Sequence, residues 1–262
     1  MYFDAVIFDL DGVVTDTAAL HAAAWKSMFD AFLRLRSAKT GAPFVPFTQD
    51  DYLAYVDGRP RYDGVAAFLQ SRGLTLPEGD PADGPARETV CGLGNRKDES
   101  FNRVLDEVGV TVFESTLALI GTLWRAGIKV GMATSSRNGG RVLEKAGIAG
   151  LFAARIDGVV AAELGLLGKP APDIFAVACE RLSAARHRTA VIEDAVSGVA
   201  AGARGRFGLT LGVARQDNGE ALRRNGADLV VDDLSQITLA EIESWFENTV
   251  RTQPGAPGTR LQ

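Results

Sequence analysis

Two carboxylates separated by one residue stand directly after a short apolar segment near the start of the chain. Asp9 and Asp11 follow residues 5–8, whose sequence Ala-Val-Ile-Phe predicts a strand buried on both faces. Buried charge without a partner is costly, so this strand end requires a compensating group, for which a divalent cation is the natural candidate. Gly12 lets the backbone turn sharply away from the strand. Taken alone, such a pair is more often a solvated turn, so the choice depends on the other strand ends.

A second predicted strand, residues 190–192, ends in the acids Glu193 and Asp194. Ligands of open parallel sheets bind at the carboxyl ends of the strands, where both acidic pairs are expected to lie. Carboxylate oxygens from two strand ends suit Mg²⁺, with waters and a substrate phosphate completing its octahedral shell. The two acidic strand ends together therefore predict a magnesium site.

Hydroxyl groups follow another predicted strand. Thr134 ends an apolar segment and is followed by Ser-Ser-Arg-Asn at residues 135–138. Hydroxyls, backbone N–H groups and a helix N-terminus can together bind an anion at such a place. The alternative is a simple N-cap for the next helix, and on local grounds alone the N-cap is favoured.

A lysine precedes two prolines further along the chain. Pro170 and Pro172 stiffen the approach to a predicted helix and fix the direction in which Lys169 points. A positioned ammonium group suits a phosphoryl oxygen, whereas a lone lysine in this context is normally solvated. Thr134 and Lys169 lie between the two acidic strand ends in the sequence, and this combination of groups indicates a site rather than a chance arrangement.

Alternating strand-like and helix-like segments must position these groups. The segments predicted as strands are residues 5–10, 128–134, 190–192, 209–213 and 229–231. Helices are predicted at residues 117–125, 140–146, 174–182, 196–205 and 220–225. Strands and helices that alternate with short links predict an α/β fold, a Rossmann-like parallel sheet covered by helices on both faces.

More than a hundred residues separate the first two predicted strands, and they contain no convincing strand. Helices are predicted there at residues 18–33, 49–55, 64–72 and 86–107, with Gly- and Pro-rich loops at residues 37–47 and 74–85. We interpret residues 17–108 as an inserted all-helical cap domain. The α/β core then comprises residues 1–16 and 109–252, and the tail, residues 253–262, is expected to be disordered.

The composition is that of an ordinary soluble protein and argues against several classes of function. The 262 residues carry a net charge of −5, which argues against nucleic acid as a partner. Two cysteines are too few for a disulfide framework or a metal knuckle. Apolar segments fall short of the roughly 20 residues that span a bilayer, and the N-terminus is not typical of a signal peptide. We therefore expect a cytoplasmic protein with no membrane partner.

The four motifs, in this order, resemble those of the haloacid dehalogenase-like superfamily of aspartate-based phosphotransferases over nearly the whole chain. The resemblance implies that Asp9 attacks phosphorus and becomes an aspartyl phosphate. It implies that Asp11 is the general acid and base, which requires a raised pKa when the site closes. Thr134 and Lys169 would bind the transferring phosphoryl group. Dehalogenases of this superfamily work without the second aspartate, so Asp11 favours phosphate chemistry.

The resemblance also implies an Mg²⁺ cofactor. The ion would be held by Asp9, the backbone carbonyl of Asp11 and Asp194, with Glu193 in or near its coordination shell. A carboxylate that attacks a phosphate dianion meets strong repulsion, which Mg²⁺ and Lys169 would offset.

The helical segment directly follows the first motif, and in this the chain resembles the helical-cap class of the superfamily. Three cap motifs are Asp16-Thr17 with His21 and Trp25, Asp57-Gly58-Arg59-Pro60-Arg61, and Asn95-Arg96-Lys97-Asp98-Glu99. They resemble the motifs of the β-phosphoglucomutase group. In that group the residue matching Arg61 binds the phosphate that is not transferred. Those matching His21 and Lys97 couple cap closure to the acid–base aspartate. The substrate-binding residues that the resemblance implies are Thr17, His21, Trp25, Gly58, Arg61, Lys97, Ser135, Ser136, Arg137 and Asn138.

Several of these cap residues have a simpler interpretation. His21 and Trp25 lie four residues apart on one helix face, so packing is about as probable as substrate contact. Lys97 lies in a charged helical stretch and could be solvated. Arg61 is the strongest of the set because a guanidinium group can bind phosphate through two hydrogen bonds.

Three functions are consistent with this pattern. The first is the interconversion of β-glucose 1-phosphate and glucose 6-phosphate through a bound 1,6-bisphosphate. The second is a phosphatase for sugar phosphates or other small organophosphates. The third is a non-catalytic sugar-phosphate-binding protein, which is disfavoured because Asp9, Asp11 and Lys169 are all present. The expected partner is a small phosphorylated sugar, and the expected state is a monomer or weak dimer.

Overall fold

The computed structural model describes the backbone of residues 1–252 and the side chains of residues 1–249. The tail that the sequence predicts to be disordered, residues 253–262, lies outside the described residues. Within the described part, no helix is long and apolar enough to cross a membrane.

A single parallel sheet forms the centre of the fold. Its strands within residues 1–252 are β1 (Ala5–Phe8), β2 (Lys129–Ala133), β3 (Ala154–Ile156), β4 (Thr189–Glu193), β5 (Leu209–Val213) and β6 (Leu229–Val231). They lie in the order β3-β2-β1-β4-β5-β6, and all neighbouring pairs are parallel. β1, β4 and β5 are buried at every position, as expected for central strands with covered faces.

Helices cover both faces of this sheet. The α-helices of the described residues are α1 (Ala18–Thr40), α2 (Gln49–Asp51), α3 (Arg61–Ser71), α4 (Val90–Val108), α5 (Glu114–Arg125), α6 (Gly139–Lys145), α7 (Gly158–Glu163), α8 (Asp173–Arg181), α9 (Val196–Arg204), α10 (Gly219–Arg224) and α11 (Leu239–Thr252). Val6 and Phe8 of β1 belong to one apolar cluster, which includes side chains of α5 and α11. Ile7 belongs to a second cluster, which includes side chains of α8. The predicted α/β fold is confirmed.

The register of the sheet brings the predicted site residues to one edge. Phe8 lies opposite Met132 of β2 and opposite Ile192 of β4. Asp9 and Glu193 come directly after Phe8 and Ile192, so the two acidic strand ends are neighbours at the carboxyl edge, as a ligand site of this fold requires.

The segment between β1 and β2 packs around an apolar cluster of its own. Phe29 and Phe68, with ring centroids 4.1 Å apart, lie in this cluster, and α1 packs along α4. The two connections to the sheet run side by side, because Thr15 and Val112 form an antiparallel bridge. Phe101 of α4 belongs instead to a cluster on the sheet, so α4 contacts both parts. The predicted domain boundaries stay a prediction.

Several elements differ from the sequence prediction. α1 continues past the predicted end at residue 33 to Thr40, and Gly41 ends it with a φ of 74°. α3 begins at Arg61 rather than residue 64, and α4 begins at Val90 rather than residue 86, because the side chain of Thr89 caps it.

Of the strands and α-helices within residues 1–252, three are absent from the sequence prediction. β3 has only three residues and lies at the edge of the sheet, and α7 is a short helix directly after it. α11 follows Thr238, whose backbone N–H and hydroxyl both donate to Glu241 Oε2. This Thr-x-x-Glu pattern is a capping box that could have predicted the start of α11.

Candidate active site

Asp9 stands at the centre of the carboxyl edge and faces a cavity. Its backbone N–H donates to the carbonyl of Ile192 at 2.9 Å, which continues the pairing of β1 with β4. Its side chain is buried, and Oδ1 accepts a hydrogen bond from Lys169 Nζ at 2.5 Å. The backbone pairing and the lysine together fix the position of the carboxylate.

Lys169 is almost completely buried behind Asp9. Its Nζ also donates to Glu193 Oε1 and lies 5.0 Å from the centroid of the Phe175 ring. Burial lowers the pKa of Lys169, but the charges of Asp9 and Glu193 outweigh it and raise the pKa above its ordinary value. The other oxygen of Glu193 accepts the backbone N–H of Ala195 at 2.7 Å. Lys169 and Glu193 thus support Asp9 from behind, and neither lines the cavity.

Asp194 carries a buried carboxylate with no cation in contact. It is 3% exposed, and within residues 1–249 its carboxylate accepts no hydrogen bond and forms no ion pair. Burial, together with the charges of Asp57 and Glu193, raises the pKa of Asp194. Gly12, with a φ of 88°, faces this side chain, and a Cβ at Gly12 would lie 1.9 Å from Asp194 Oδ2. A bound cation would offset the cost of burying this carboxylate.

The oxygen donors around Asp194 fit Mg²⁺. Asp9 and Asp194 both line the cavity and offer carboxylate oxygens, which this ion prefers. In the described part of the chain, no group of three or more His, Cys, Asp or Glu side chains is arranged to hold a metal. The expected ligands, which are Asp9, the backbone carbonyl of Asp11 and Asp194 with Glu193 in or near the shell, stay a prediction, and Mg²⁺ commonly completes its shell with waters. Glu193 is already engaged by Lys169.

Asp11 is held by groups from both sides of the cavity. Its Oδ1 accepts a hydrogen bond from Thr17 Oγ1 at 2.5 Å and lies 3.2 Å from His21 Nε2, without hydrogen-bond alignment. Its Oδ2 accepts one from Thr134 Oγ1 at 3.2 Å. Burial raises the pKa of Asp11, but His21 and Thr17 outweigh it and lower the pKa to about 2. The carboxyl group is therefore ionised in this arrangement, whereas the general-acid role expected of Asp11 would require its protonated form.

Helices α1 and α4 place a histidine and a lysine in contact beside Asp11. Lys97 Nζ lies 2.6 Å from His21 Nδ1, and the His21 ring stacks on Phe101 with centroids 4.0 Å apart. Burial and the charge of Arg61 lower the pKa of Lys97 to about 7, while burial and the charge of Lys97 lower that of His21. Lys97 is 5% exposed, so it is not a solvated surface residue.

The hydroxyls after β2 form the other wall. The backbone N–H of Ser136 donates to Thr134 Oγ1 at 3.1 Å, which curls the chain around the threonine. Ser135 Oγ is buried and has no hydrogen-bond partner among the described residues. The Asn138 side chain does not cap α6 and instead donates to Asp98 on α4 at 2.7 Å. The geometry thus favours an anion-binding loop over a simple N-cap.

Arg61 lies at the N-terminus of α3, on the side of the cavity formed by the helical segment. Its Nη2 donates to Asp98 Oδ1 at 2.5 Å, and its Nη1 donates to Asn95 Oδ1 at 3.3 Å. Gly58, with a φ of 67°, packs so closely against Ser197 that a Cβ would lie 2.4 Å from the serine Oγ. The helical segment therefore reaches the first turn of α9, the helix that follows β4, at this point.

The cavity has a volume of about 60 Å³ and is lined by both the helical segment and the sheet edge. The predicted site residues that line it are Asp9, Asp11, His21, Trp25, Gly58, Arg61, Lys97, Thr134, Ser135, Ser136, Arg137, Asn138 and Asp194. Thr17, Lys169 and Glu193 lie outside the lining and contact residues within it. Trp25 also packs in the apolar cluster of the helical segment, which supports the packing interpretation, and its contact with substrate stays a prediction.

Five lining residues were missed by the sequence analysis: Tyr52, Val56, Asp57, Arg59 and Ala195. Asp57 and Arg59 belong to the segment Asp57-Gly58-Arg59-Pro60-Arg61, in which only Gly58 and Arg61 were predicted as site residues, and this shared segment is the signal that could have found them. Tyr52 and Val56 belong to a π-helical turn, Tyr52–Val56, which directly precedes Asp57. Turns of this rare type often occur at functional sites, but their sequence does not predict them.

Comparison with known proteins places this site in a family. The family model described as haloacid dehalogenase-like hydrolase matches residues 3–206. A protein named β-phosphoglucomutase from Mycobacterium bovis is 46% identical over 237 residues, which cover 89% of this chain and 90% of the relative. A protein of the same name from Bacillus subtilis is 32% identical over 253 residues, covering 94% of this chain and 97% of the relative.

A solved structure supports the fold independently. The structure titled β-phosphoglucomutase from Clostridium difficile superposes with a TM-score of 0.75, covering 95% of this chain and 99% of that chain. Its sequence identity of 24% makes this a similarity of fold.

Proposed function

The chain belongs to the haloacid dehalogenase-like hydrolase family, and we propose that it converts β-glucose 1-phosphate to glucose 6-phosphate through the 1,6-bisphosphate. One observation carries this proposal: Arg61 of the helical segment and Asp9 of the sheet edge line the same small cavity. A mutase needs two phosphate sites, one at the nucleophile and one at a distance. The two relatives at 46% and 32% identity are both named for this activity.

The transfer site is formed by Asp9 and the groups around it. In the proposed step an oxygen of Asp9 attacks phosphorus while the bond from phosphorus to the sugar oxygen breaks. Lys169 keeps its positive charge next to Asp9 and offsets the developing negative charge. Thr134 and the unpaired hydroxyl of Ser135 are placed to donate hydrogen bonds to phosphoryl oxygens.

Mg²⁺, held by Asp9, Asp194 and the backbone carbonyl of Asp11, would supply positive charge that reduces repulsion between the nucleophile and the phosphate. The uncompensated carboxylate of Asp194 supports this assignment. Removal of the ion with a chelator is expected to abolish transfer.

Asp11 is proposed to move the proton. It gives a proton to the sugar oxygen that leaves phosphorus, and later removes one from the hydroxyl that attacks the aspartyl phosphate. The ionised form, in contact with Thr17 and His21, is the form that accepts a proton. The acid half of the cycle requires proton uptake when substrate changes these contacts.

We propose that residues 17–108 act as a cap that closes on residues 1–16 and 109–252. Closure excludes water, so that the aspartyl phosphate passes to a sugar hydroxyl rather than to water. The bisphosphate then reorients within the site, so that the same Asp9 exchanges a phosphoryl group with either end of the sugar. A cytoplasmic location and a monomeric or weakly dimeric state stay predictions.

The experiment that tests the second phosphate site compares Arg61→Ala with Arg96→Ala. Arg96 lies on α4 of the same helical segment, outside the cavity, and donates to the Pro85 carbonyl at 2.7 Å. Conversion of β-glucose 1-phosphate is expected to fall by about 10²-fold or more in Arg61→Ala, because charge-assisted hydrogen bonds to the distal phosphate are lost. Hydrolysis of acetyl phosphate, which has no distal phosphate, is expected to survive.

Arg96→Ala is expected to keep both activities near those of the wild type. Equal loss of conversion and acetyl phosphate hydrolysis in Arg61→Ala would remove Arg61 from the distal site. Release of inorganic phosphate from β-glucose 1-phosphate by the wild type, with no glucose 6-phosphate formed, would instead support the phosphatase.

A further inference from the structure

Asp98 on α4 joins two residues that belong to opposite sides of the cavity. Its Oδ1 accepts hydrogen bonds both from Arg61 Nη2, at 2.5 Å, and from Asn138 Nδ2, at 2.7 Å. Arg61 begins α3, whereas Asn138 directly precedes α6 beside the sheet. Arg61 and Asn138 line the cavity, but Asp98 does not. One carboxylate oxygen behind the cavity wall therefore occupies donors from both sides.

Arg61 is held in place by more than this ion pair. Asn95 Oδ1 accepts hydrogen bonds from Arg61 Nη1 at 3.3 Å and from the Tyr62 hydroxyl at 2.9 Å. A Cβ at Gly94 would lie 3.1 Å from Arg61 Cδ, so the arginine side chain passes directly over this glycine. Arg61 therefore keeps an anchor on α4 if the contact with Asp98 is broken.

The ion pair between Arg61 and Asp98 is partly shielded from water. The Arg61 side chain is 13% exposed and that of Asp98 is 26% exposed. Charge-assisted hydrogen bonds in such surroundings are stronger than on an open surface. A second anion that approaches Arg61 must therefore compete with Asp98.

We propose that Asp98 is a displaceable counter-anion that makes the distal site selective for a doubly charged phosphate group. This inference rests on the proposed function, in which Arg61 receives the distal phosphate. A phosphate dianion carries more charge and more acceptor oxygens than one carboxylate, so it replaces Asp98 on Arg61 and Asn138. A neutral sugar hydroxyl offers no charge in exchange and leaves the ion pair intact.

A role limited to positioning predicts the opposite effect. If Asp98 only held Arg61 in place for the phosphate, removal of its charge would weaken binding of a bisphosphate. If Asp98 is displaced, removal of its charge frees Arg61 from a competitor, and binding becomes tighter. The sign of the change in the dissociation constant separates the two roles.

The test measures the dissociation constant of glucose 1,6-bisphosphate by calorimetry with Mg²⁺ present. The full chain carries Asp9→Asn, so that no phosphoryl group is transferred. In this background Asp98→Asn is expected to tighten binding on the order of tenfold, because a charge-assisted competitor is lost. The gain should vanish when Arg61→Ala is added, since Arg61 is the group that Asp98 occupies.

Asp106→Asn is the matched control. Asp106 lies two turns further along α4 and pairs with Arg141 at 2.7 Å and Lys145 at 2.8 Å, both on α6. Replacement of Asp106 removes the same charge from the same helix. Like Asp98→Asn, it also removes a contact between the helical segment and the core. It does not touch Arg61, so the dissociation constant is expected to stay unchanged.

Unchanged or weaker binding in Asp98→Asn, or an equal gain in Asp106→Asn, would overturn the role of Asp98 and leave the proposed function standing. Absence of bisphosphate binding in every variant, the Asp9→Asn background included, would contradict the proposed function and the role of Asp98 together. Asp98→Ser, which also removes the charge, replaces Asp98→Asn if thermal unfolding shows that the latter is misfolded.

Discussion

Two buried lysines in this protein lie in opposite electrostatic surroundings. Lys169 contacts the carboxylates of Asp9 and Glu193, which raise its pKa above the ordinary value despite burial. Lys97 contacts His21 and lies near aromatic rings, and burial lowers its pKa to about 7. The first lysine keeps its positive charge beside Asp9, whereas the second changes its charge near neutral pH.

The low pKa of Lys97 predicts a pH dependence of stability. Between about pH 7 and the ordinary lysine pKa of 10.5, the unfolded chain binds a proton at Lys97 that the folded protein lacks. The free energy of unfolding therefore gains up to about 1.4 kcal/mol per pH unit from this group as pH rises through that window. Urea unfolding of the wild type and Lys97→Met at pH 7, 8 and 9 measures this difference.

The variant is expected to gain stability relative to the wild type at pH 7 and to lose that advantage towards pH 9. Lys39→Met is the control, because Lys39 is exposed and pairs with Glu88 on the surface. Parallel pH curves for the wild type and Lys97→Met would show that Lys97 keeps an ordinary pKa.

The site residues at the sheet edge could be predicted from the sequence, whereas some of the cavity-lining residues of the helical segment could not. Asp9, Thr134 and Asp194 follow buried apolar segments, and the parallel sheet then forces them to one edge. Tyr52 and Asp57 come together through a π-helical turn, in which the Asp57 N–H donates to the Tyr52 carbonyl at 3.0 Å. No periodic pattern of side chains marks such a turn.

At the scale of elements, strands with a distinct apolar run were easier to predict than β3, even where the strand lies at an edge of the sheet, as β6 does. β5 and β6 have the predicted bounds, because their apolar runs are flanked by polar or glycine-containing turns. β3 contains only Ala-Arg-Ile, which is too short for a recognisable alternation. Its place in the sheet depends on pairing with β2, a contact that the local sequence does not encode.

The turn after β1 requires glycine at residue 12, which makes Gly12→Ala a test of how this element positions the site. Gly12 has a φ of 88°, and a Cβ would lie 1.9 Å from Asp194 Oδ2. We expect a loss of about 2–5 kcal/mol of stability, from backbone strain and from the clash. Displacement of the Asp194 carboxylate is expected to reduce phosphoryl transfer by about 10²-fold.

Gly127→Ala separates the effect of backbone strain from that of the clash with Asp194. Gly127 has a φ of 77° and no heavy atom within 4 Å of the position that a Cβ would take. This variant is expected to lose about 1–2 kcal/mol from the backbone alone and to keep its activity. Equal effects of the two substitutions on chemical unfolding and on turnover would show that Gly12 does not support Asp194.

At the scale of the whole molecule, the cavity is too small to admit the proposed substrate in this arrangement. Its volume of about 60 Å³ lies well below the roughly 300 Å³ at the lower end of small-ligand sites. The helical segment contacts the core near the cavity through Asp98 and Asn138, and through Gln49 and Gln216, whose side chains hydrogen-bond at 2.6 Å. We therefore expect entry of the proposed substrate to require separation of the helical segment from the core.

A cross-link between the two parts tests this requirement. Cysteines at Gln49 and Gln216, joined by a short bifunctional maleimide, are expected to block conversion of sugar phosphates, because the helical segment can no longer open. Each single cysteine variant, treated in the same way, is the control and should keep its activity. Full turnover in the cross-linked protein, verified by mass spectrometry, would show that opening is not needed.

The fate of the phosphoryl group tests the central claim most directly. Phosphorus NMR of the wild type with Mg²⁺, β-glucose 1-phosphate and a trace of the 1,6-bisphosphate gives the ratio of glucose 6-phosphate formed to inorganic phosphate released. Arg61 and Asp9 line the same cavity between the helical segment and the sheet edge, and this arrangement predicts that isomerisation exceeds hydrolysis by a large factor and is stimulated by the bisphosphate. Stoichiometric release of inorganic phosphate, unaffected by the bisphosphate, would contradict the proposed mutase activity.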